Sequence, residues 1–556
     1  MNISVNISTD EYIADTCTFT NCLNGAISIR LSDGGKASVI NSQFTGCQNN
    51  GSGGAIEAYI YSGGILTIDG QCRFTDCTTQ YFGGGISASI DGENSQLIIG
   101  DGVIFDTCQC LNYNGGGFEA YIRTGSQLIF EGDCKFINCS SISGTGGGIY
   151  ASVSNEGSLI RSFGELLFEN CSGFSGGGAF IVSSDYASIE LNKVTCIDCK
   201  GIQGAGLNIQ PDSNSYFSIY GQASFARCES TWNGGGMYII IYGDNVEIHL
   251  TALMDFVDCI GDSGGGMYIF VPYKINLVIS NSCTFLDCTS NDGGGMFLYS
   301  DNIDTNIQIT GELSFDSCSS YQGGGLYLLI SNLSISFMNI ILFKDCSSQD
   351  SGGGIYVYCS NEGMIQFNGE LNFNNCSSID LGGGGFFYTT NKGHIVTNNI
   401  TCIDCIAEEG GGLFVYSWSE ISVIELSGIM TFVDCVGQSG GGLYIDLQQS
   451  GQILISNRCT LTRCIAELYG GGIYIYLYNQ GNLTINGELI IENCTSNNGG
   501  GIFIDLYDNA NATIEINKLT CIECKSHRGS GLSIQVGSNT VLNLSVQASF
   551  IRCESS

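Results

Sequence analysis

One phrase recurs along the whole chain: an aromatic or apolar residue, two variable residues, then cysteine. It ends at nineteen cysteines from Cys22 to Cys553, with successive gaps of 25 to 32 residues. About five to seven residues after most of them comes a glycine triplet, as in Gly83-Gly84-Gly85 and Gly470-Gly471-Gly472. Fourteen triplets occur, and four more rungs carry degenerate forms such as Gly204-Ala205-Gly206 and Gly529-Ser530-Gly531. Self-similarity at a fixed period of about 30 residues is the signature of stacked repeats. No linker or composition shift breaks the series, so residues 1–556 read as a single continuous array.

Within a unit the period is two. From Ile473 the chain runs Ile-Tyr-Ile-Tyr-Leu-Tyr, turns at Asn-Gln-Gly, continues through Leu483 to Ile485 and turns at Asn486-Gly487. It then runs from Leu489 to Ile491 into Cys494. That is three short strands rich in β-branched and aromatic residues, separated by Gly/Asn/Asp/Ser corners. No segment sustains a 3.6-residue period. Three strands in 30 residues close no core alone. Stacked coil on coil, each pairs with its copies above and below. The expected fold is an all-β, right-handed parallel β-helix solenoid of about 19 coils, about 30 residues and three strands per coil. The hand follows the general chirality of parallel connections. Recurrent corners also account for glycine, which tolerates φ > 0 and leaves no side chain to meet its copy on the next rung.

Composition narrows the function. Of 556 residues, 80 are Gly and only 2 are Pro, without a Gly-X-Y period, which excludes collagen. Lys+Arg 18 against Asp+Glu 53 gives a net charge of −35, which argues against nucleic-acid partners. No apolar run is long enough to span a membrane.

The corner phrases resemble the chlamydial polymorphic membrane protein repeat, whose paired motifs are Gly-Gly-Ala-Ile/Leu/Val and Phe-x-x-Asn. Gly53-Gly54-Ala55-Ile56 matches the first motif, and Gly177-Gly178-Ala179-Phe180 comes close. The second departs, since Phe74-Thr-Asp-Cys77 and Phe432-Val-Asp-Cys435 put Cys where the family has Asn. The resemblance implies a right-handed β-helix with a secreted or surface-displayed, adhesin-type role. The family's membrane-embedded autotransporter barrel has no match in this sequence.

A slower repeat overlies the fast one: Ile189 to Thr231 is echoed by Ile514 to Ser556, and Phe256 to Gly295 by Phe432 to Gly472. Duplicated blocks favour a structural array over an enzyme, whose site need occur only once. Neither end carries a polar cap or a recognisable leader, which predicts a segment of a longer array or ends that stack on other copies.

The chemistry available is sparse. Cys-x2-Cys occurs at Cys196/Cys199, Cys402/Cys405 and Cys521/Cys524, four or more rungs apart, too far to share a metal. Cys196, Cys402 and Cys521 are expected to fill the slot that Phe holds in other coils. For the 29 cysteines, a free buried ladder and a partly disulfide-bonded one are both open. Asp or Glu often precedes the column cysteine, and Asp258 with Asp287 are the candidate cation ligands; the alternative is a solvated charge ladder. No cofactor is expected. Twelve Asn-x-Ser/Thr sequons, at Asn2, Asn6, Asn50, Asn138, Asn170, Asn332, Asn375, Asn399, Asn482, Asn493, Asn511 and Asn543, point to an extracellular or cell-surface glycoprotein.

The most informative column is the second residue after the triplet. Glu57, Ser87, Glu119, Asn208 and Ser533 mark it as outward-facing. Yet twelve rungs place aromatics there: Tyr150, Phe180, Tyr238, Tyr268, Phe297, Tyr327, Tyr356, Phe387, Phe414, Tyr444, Tyr474 and Phe503. An exposed stripe of this length predicts cover by a second copy or by glycan. The function expected is a non-catalytic extracellular rod or filament subunit with this stripe as its contact surface. The alternative is a surface adhesin or ligand-binding protein, and a remote one is a polysaccharide lyase or hydrolase.

Overall fold

The computed structural model describes residues 1–419, 421–507, 511–538 and 540–555. The chain is an all-β parallel solenoid of about 18 turns, with no helix among the described residues. It divides into two compact units, Met1–Asn281 and Ser282–Ser556.

In the first unit one coil runs Ile56–Tyr61, Ile65–Asp69, Arg73–Thr75 and Thr78–Thr79. The next coil repeats it in parallel register, pairing Ile56 with Ile86, Leu66 with Leu97, Phe74 with Phe105 and Thr78 with Gln109. The three expected strands are present. A fourth, two-residue strand follows the cysteine and leads to the glycine corner. Ile56–Tyr61 alternates buried and open positions, as strands with one face on a core do. In the coils of Ser188–Ile197 and Tyr216–Ala226 the second and third strands fuse, and a register shift between Leu191 and Lys193 absorbs the lost corner.

The second unit uses the same grammar, from Met296–Ser300 to Leu532–Val536 along its first sheet. Fused strands recur at Asn482–Glu492, Asn511–Ile522 and Val541–Ile551.

Each unit is held by columns of like residues. Phe19, Phe44, Phe74, Phe105, Phe136 and Phe168 stack with ring centroids 4.7 to 5.2 Å apart. Phe285, Phe315, Phe343 and Phe373 do the same at 4.8 to 5.1 Å. Such contacts add about 0.5–1.5 kcal/mol per pair to the area each ring buries. Cys196 sits in register between Phe168 and Phe225, and Cys402 between Phe373 and Phe432, so both occupy the Phe slot as expected. Cys521 pairs with Ile491 and Phe550.

The column cysteines face the same interior. Backbone carbonyls meet the thiols: Cys108 Sγ donates to Phe74 O at 3.4 Å and lies 3.8 Å from Asp106 O. All 29 cysteines are free thiols, and only Cys17, Cys22 and Cys553 are not buried. Burial pushes Cys108 and Cys139 well above the ordinary thiol range. The free ladder is thus the arrangement present.

The residue before each column cysteine has a physical role that the charge-ladder interpretation does not contain. At all nineteen rungs its φ lies between 50° and 63°, the left-handed region. Asn, Asp and Gly enter that region at least cost, which explains their dominance there.

The glycine triplet has three separate causes. Gly83 has φ 64°. A Cβ on Gly84 would lie 2.1 Å from the carbonyl oxygen of Gly116 on the next coil, and one on Gly85 would lie 2.7 Å from the Phe105 ring. Positive φ therefore explains only the first glycine; close backbone approach and ring packing explain the others.

Candidate functional site: the aromatic lane and its wall

The outward column exists as a lane on the first sheet of each unit. In the first unit Tyr150 pairs with Phe180, Phe180 with Asn208, Asn208 with Tyr238 and Tyr238 with Tyr268. In the second, Phe297, Tyr327, Tyr356, Phe386, Phe414, Tyr444, Tyr474 and Phe503 follow in register. Phe387 is not a member. Its coil has four consecutive glycines, and Gly385 takes the inward place opposite Ile355, which moves Phe386 into the lane and Phe387 into the core at 0% exposure.

The lane faces outward but is not open, which corrects the expectation of an exposed stripe. Tyr238, Phe414 and Phe503 are each 4% exposed, while Tyr150, Tyr327 and Tyr356 are half-buried. Successive rings cover one another, with centroids 4.5 to 5.7 Å apart from Phe414 through Phe503. The segment between the cysteine and the glycine corner covers their sides as a wall. Tyr469 of that wall lies 4.7 Å from the Phe503 ring, and Leu381 packs on the same cluster. The lane is therefore chiefly an outer satellite core.

The accessible groups lie two residues further along each strand. Tyr358, Tyr388, Tyr416 and Tyr476 are half-buried in a second lane, and Trp418 beyond them is 41% exposed. Tyr388 and Tyr416 stack at 4.8 Å, and Trp418 meets Tyr416 edge-on at 5.9 Å. Asp446 and Asp505 take the tyrosine place in two coils. Tyr474 donates to Asp505 Oδ2 at 3.1 Å, and Gln448 Nε2 lies 3.2 Å from both oxygens of Asp446. Burial pushes Asp446 up to about 7. Glu409 on the wall also rises to about 7, through burial and then the charges of Asp380 and Glu408. In the first unit Glu119 occupies the lane itself at 1% exposure, accepts from Ser87 Oγ at 2.7 Å and is pushed by burial up to about 8. These carboxyls are invisible as a group in the sequence, because they come from different strands and from the wall.

A second surface escaped the sequence because its residues look like loop filler. Phe174 and Trp232 crown the wall of the first unit at 54% and 57% exposure, joined through Ile202 by backbone bonds of 2.8 Å.

The remaining candidates are placed as follows. Asp258 belongs to the first unit and Asp287 to the second, both at the left-handed position with φ 52° and 53°. Among the described residues no group of three or more His, Cys, Asp or Glu is gathered to hold a metal. The rung-to-rung charge pairing is present: Arg227 binds Asp198 at 2.7 and 2.9 Å, and Arg463 reaches Asp434 in the same way. These pairs are exposed and contribute little. Of the sequons, Asn399 and Asn482 are half-buried and the other ten are exposed. Among the described residues no helix is long and apolar enough to cross a membrane.

No family model, curated protein or solved structure matches the chain. The likeness to the chlamydial repeat rests on the corner motifs alone, and the register separates them. Ile56 and Ile86 are partners, so Ala55 stands in the third-glycine place of Gly85, whereas Ala179 pairs with Ile149 one position later.

Proposed function

We propose that this is a non-catalytic structural repeat protein of the extracellular space or cell surface, whose solenoid serves as a scaffold and associates laterally through the second tyrosine lane. The observation that carries this reading is the repetition itself. Core phenylalanine, thiol and glycine corner recur along both units, and the outer aromatic runs through coil after coil of the second, so the sequence is used up in making rungs stack. The tyrosine lane of the second unit then supplies adjacent half-open rings, with Trp418 beyond, of the kind that a second protein surface covers. The exposed sequons support the extracellular placement. The thiols fit it because burial withholds the thiolate that exchange with disulfides requires.

Sedimentation velocity across a concentration series tests the proposal. Wild type forms species heavier than the monomer, and Tyr388→Ser/Tyr416→Ser/Tyr476→Ser remains monomeric with an unchanged fold. A wild type that is monomeric throughout, or a variant that assembles equally well, refutes lateral association by this lane.

A further inference from the structure

A groove of about 620 Å³ opens along the short strands that follow the cysteine in the second unit, Ser319–Gln322, Ser347–Ser351 and Ser377–Ser378, and their flanking turns. One side presents a column of hydroxyls in register: Thr289 pairs with Ser319, Ser319 with Ser347, and Ser347 with Ser377. Tyr321 and Ile379, 50% and 68% exposed, border the same groove. No lining side chain carries a charge, on a chain whose net charge is −35.

A second serine column lies behind the first, and its hydrogen bonds change hands at one rung. Ser290 donates to Asp292 O at 2.9 Å and Ser320 to Gln322 O at 2.7 Å, each within its own coil. Ser378 instead reaches back to Asp350 O of the preceding coil, at 2.6 Å. Asp350 O is the acceptor that Ser348 would use on the Ser290 and Ser320 pattern. Ser348 Oγ is left without a partner at 6% exposure, lining the groove. A buried hydroxyl without a partner is rare in folded proteins and asks for one from outside the chain.

We infer that this groove binds a neutral oligosaccharide laid along the coil stack. Hydroxyls and amides recurring at the ~4.8 Å rung spacing give a ladder of donors and acceptors for the hydroxyls of successive sugars. The Tyr321 ring offers an apolar face to the C–H side of a pyranose. Gln349 adds a side-chain amide at the rung where Ser348 is unpaired. A charged ligand finds no counter-charge here. The site uses none of the second-lane tyrosines, so it stands or falls separately from lateral association.

Calorimetric titration of the full chain with cellohexaose, chitohexaose and maltohexaose, against hexagalacturonate and chitosan hexamer as charged controls, tests the inference. Saturable binding of at least one neutral hexasaccharide is expected, with neither charged control binding more tightly. Ser348→Ala weakens it about fivefold, the loss of one hydrogen bond. Tyr321→Ala weakens it about tenfold, and Tyr476→Ala leaves it unchanged. Because Ser348 bonds nothing in the free protein, Ser348→Ala keeps or raises the thermal midpoint without sugar, which separates lost binding from lost folding. No saturable binding of any neutral hexasaccharide, tighter binding of a charged control, or binding that survives both substitutions overturns the inference.

Discussion

Two positions in each coil tolerate almost no freedom, for different reasons. The middle glycine of a triplet is closed by the next coil's backbone. Gly84→Ala forces a methyl onto the Gly116 carbonyl and is expected to cost about 3 kcal/mol, read as a fall in the denaturant midpoint. The residue before the cysteine is limited by backbone conformation alone. Asp434→Asn is expected to be nearly neutral, and Asp434→Val to cost about 1–2 kcal/mol in the same assay, since a β-branched residue resists φ 54°. Glu119 adds a pH dependence. Burial pushes its folded carboxyl up to about 8, above the ordinary carboxylate value of about 4.5. The folded state therefore keeps a proton that the unfolded chain has released, and stability is present in full below about 4.5 and lost as pH rises towards 8. Within that window the loss is about 1.4 kcal/mol per pH unit. Glu119→Gln flattens this part of the stability–pH curve; an unchanged curve contradicts the buried acid.

At the scale of elements, strands that pair with copies of themselves turn single residues into columns, and a column behaves differently from its members. Between its two ends the thiol column is shielded, because each sulfur there is enclosed by the coils above and below. Ellman titration of the native protein is expected to find roughly three fast thiols, Cys17, Cys22 and Cys553, with the rest appearing only on denaturation. Period-two alternation and cysteine spacing made the strands, corners and inward columns legible in the sequence, down to Cys196 and Cys402 in the Phe slot. Three things were not legible. The strand after the cysteine, two residues long at Thr78–Thr79 and only four or five at Val436–Ser439 and Ile465–Tyr469, is too short to show a period, so the wall it builds, and the burial that wall imposes on Tyr444 and Tyr474, was invisible. The run Gly382 to Gly385 has no internal mark of which glycines form the corner, and counting from the wrong one exchanges Phe386 and Phe387. A one-residue slip in a strand moves every side chain to the other face. Lastly, Glu409 and Ser348 gain their character from Asp380 and Ser378, about thirty residues away, which pattern reading along one strand does not reach.

Taken whole, the molecule spends its sequence on repetition, and each unit repeats the same four columns. The columns are interrupted at a few places: aspartate for tyrosine at Asp446 and Asp505, an unpaired hydroxyl at Ser348, a bulky ring left outside at Trp418. The central claim is that register persists from coil to coil. In the second unit Asp316, Lys344, Asn374, Ile403, Val433 and Thr462 are successive partners, five rungs from first to last. Spin labels attached through ketone-bearing residues at 316 and 462, which leave the native thiols untouched, report that separation by pulsed electron resonance. In-register stacking predicts one narrow distribution centred near ~24 Å, five rungs at ~4.8 Å each. A broad distribution, or a centre displaced by a rung or more, contradicts it.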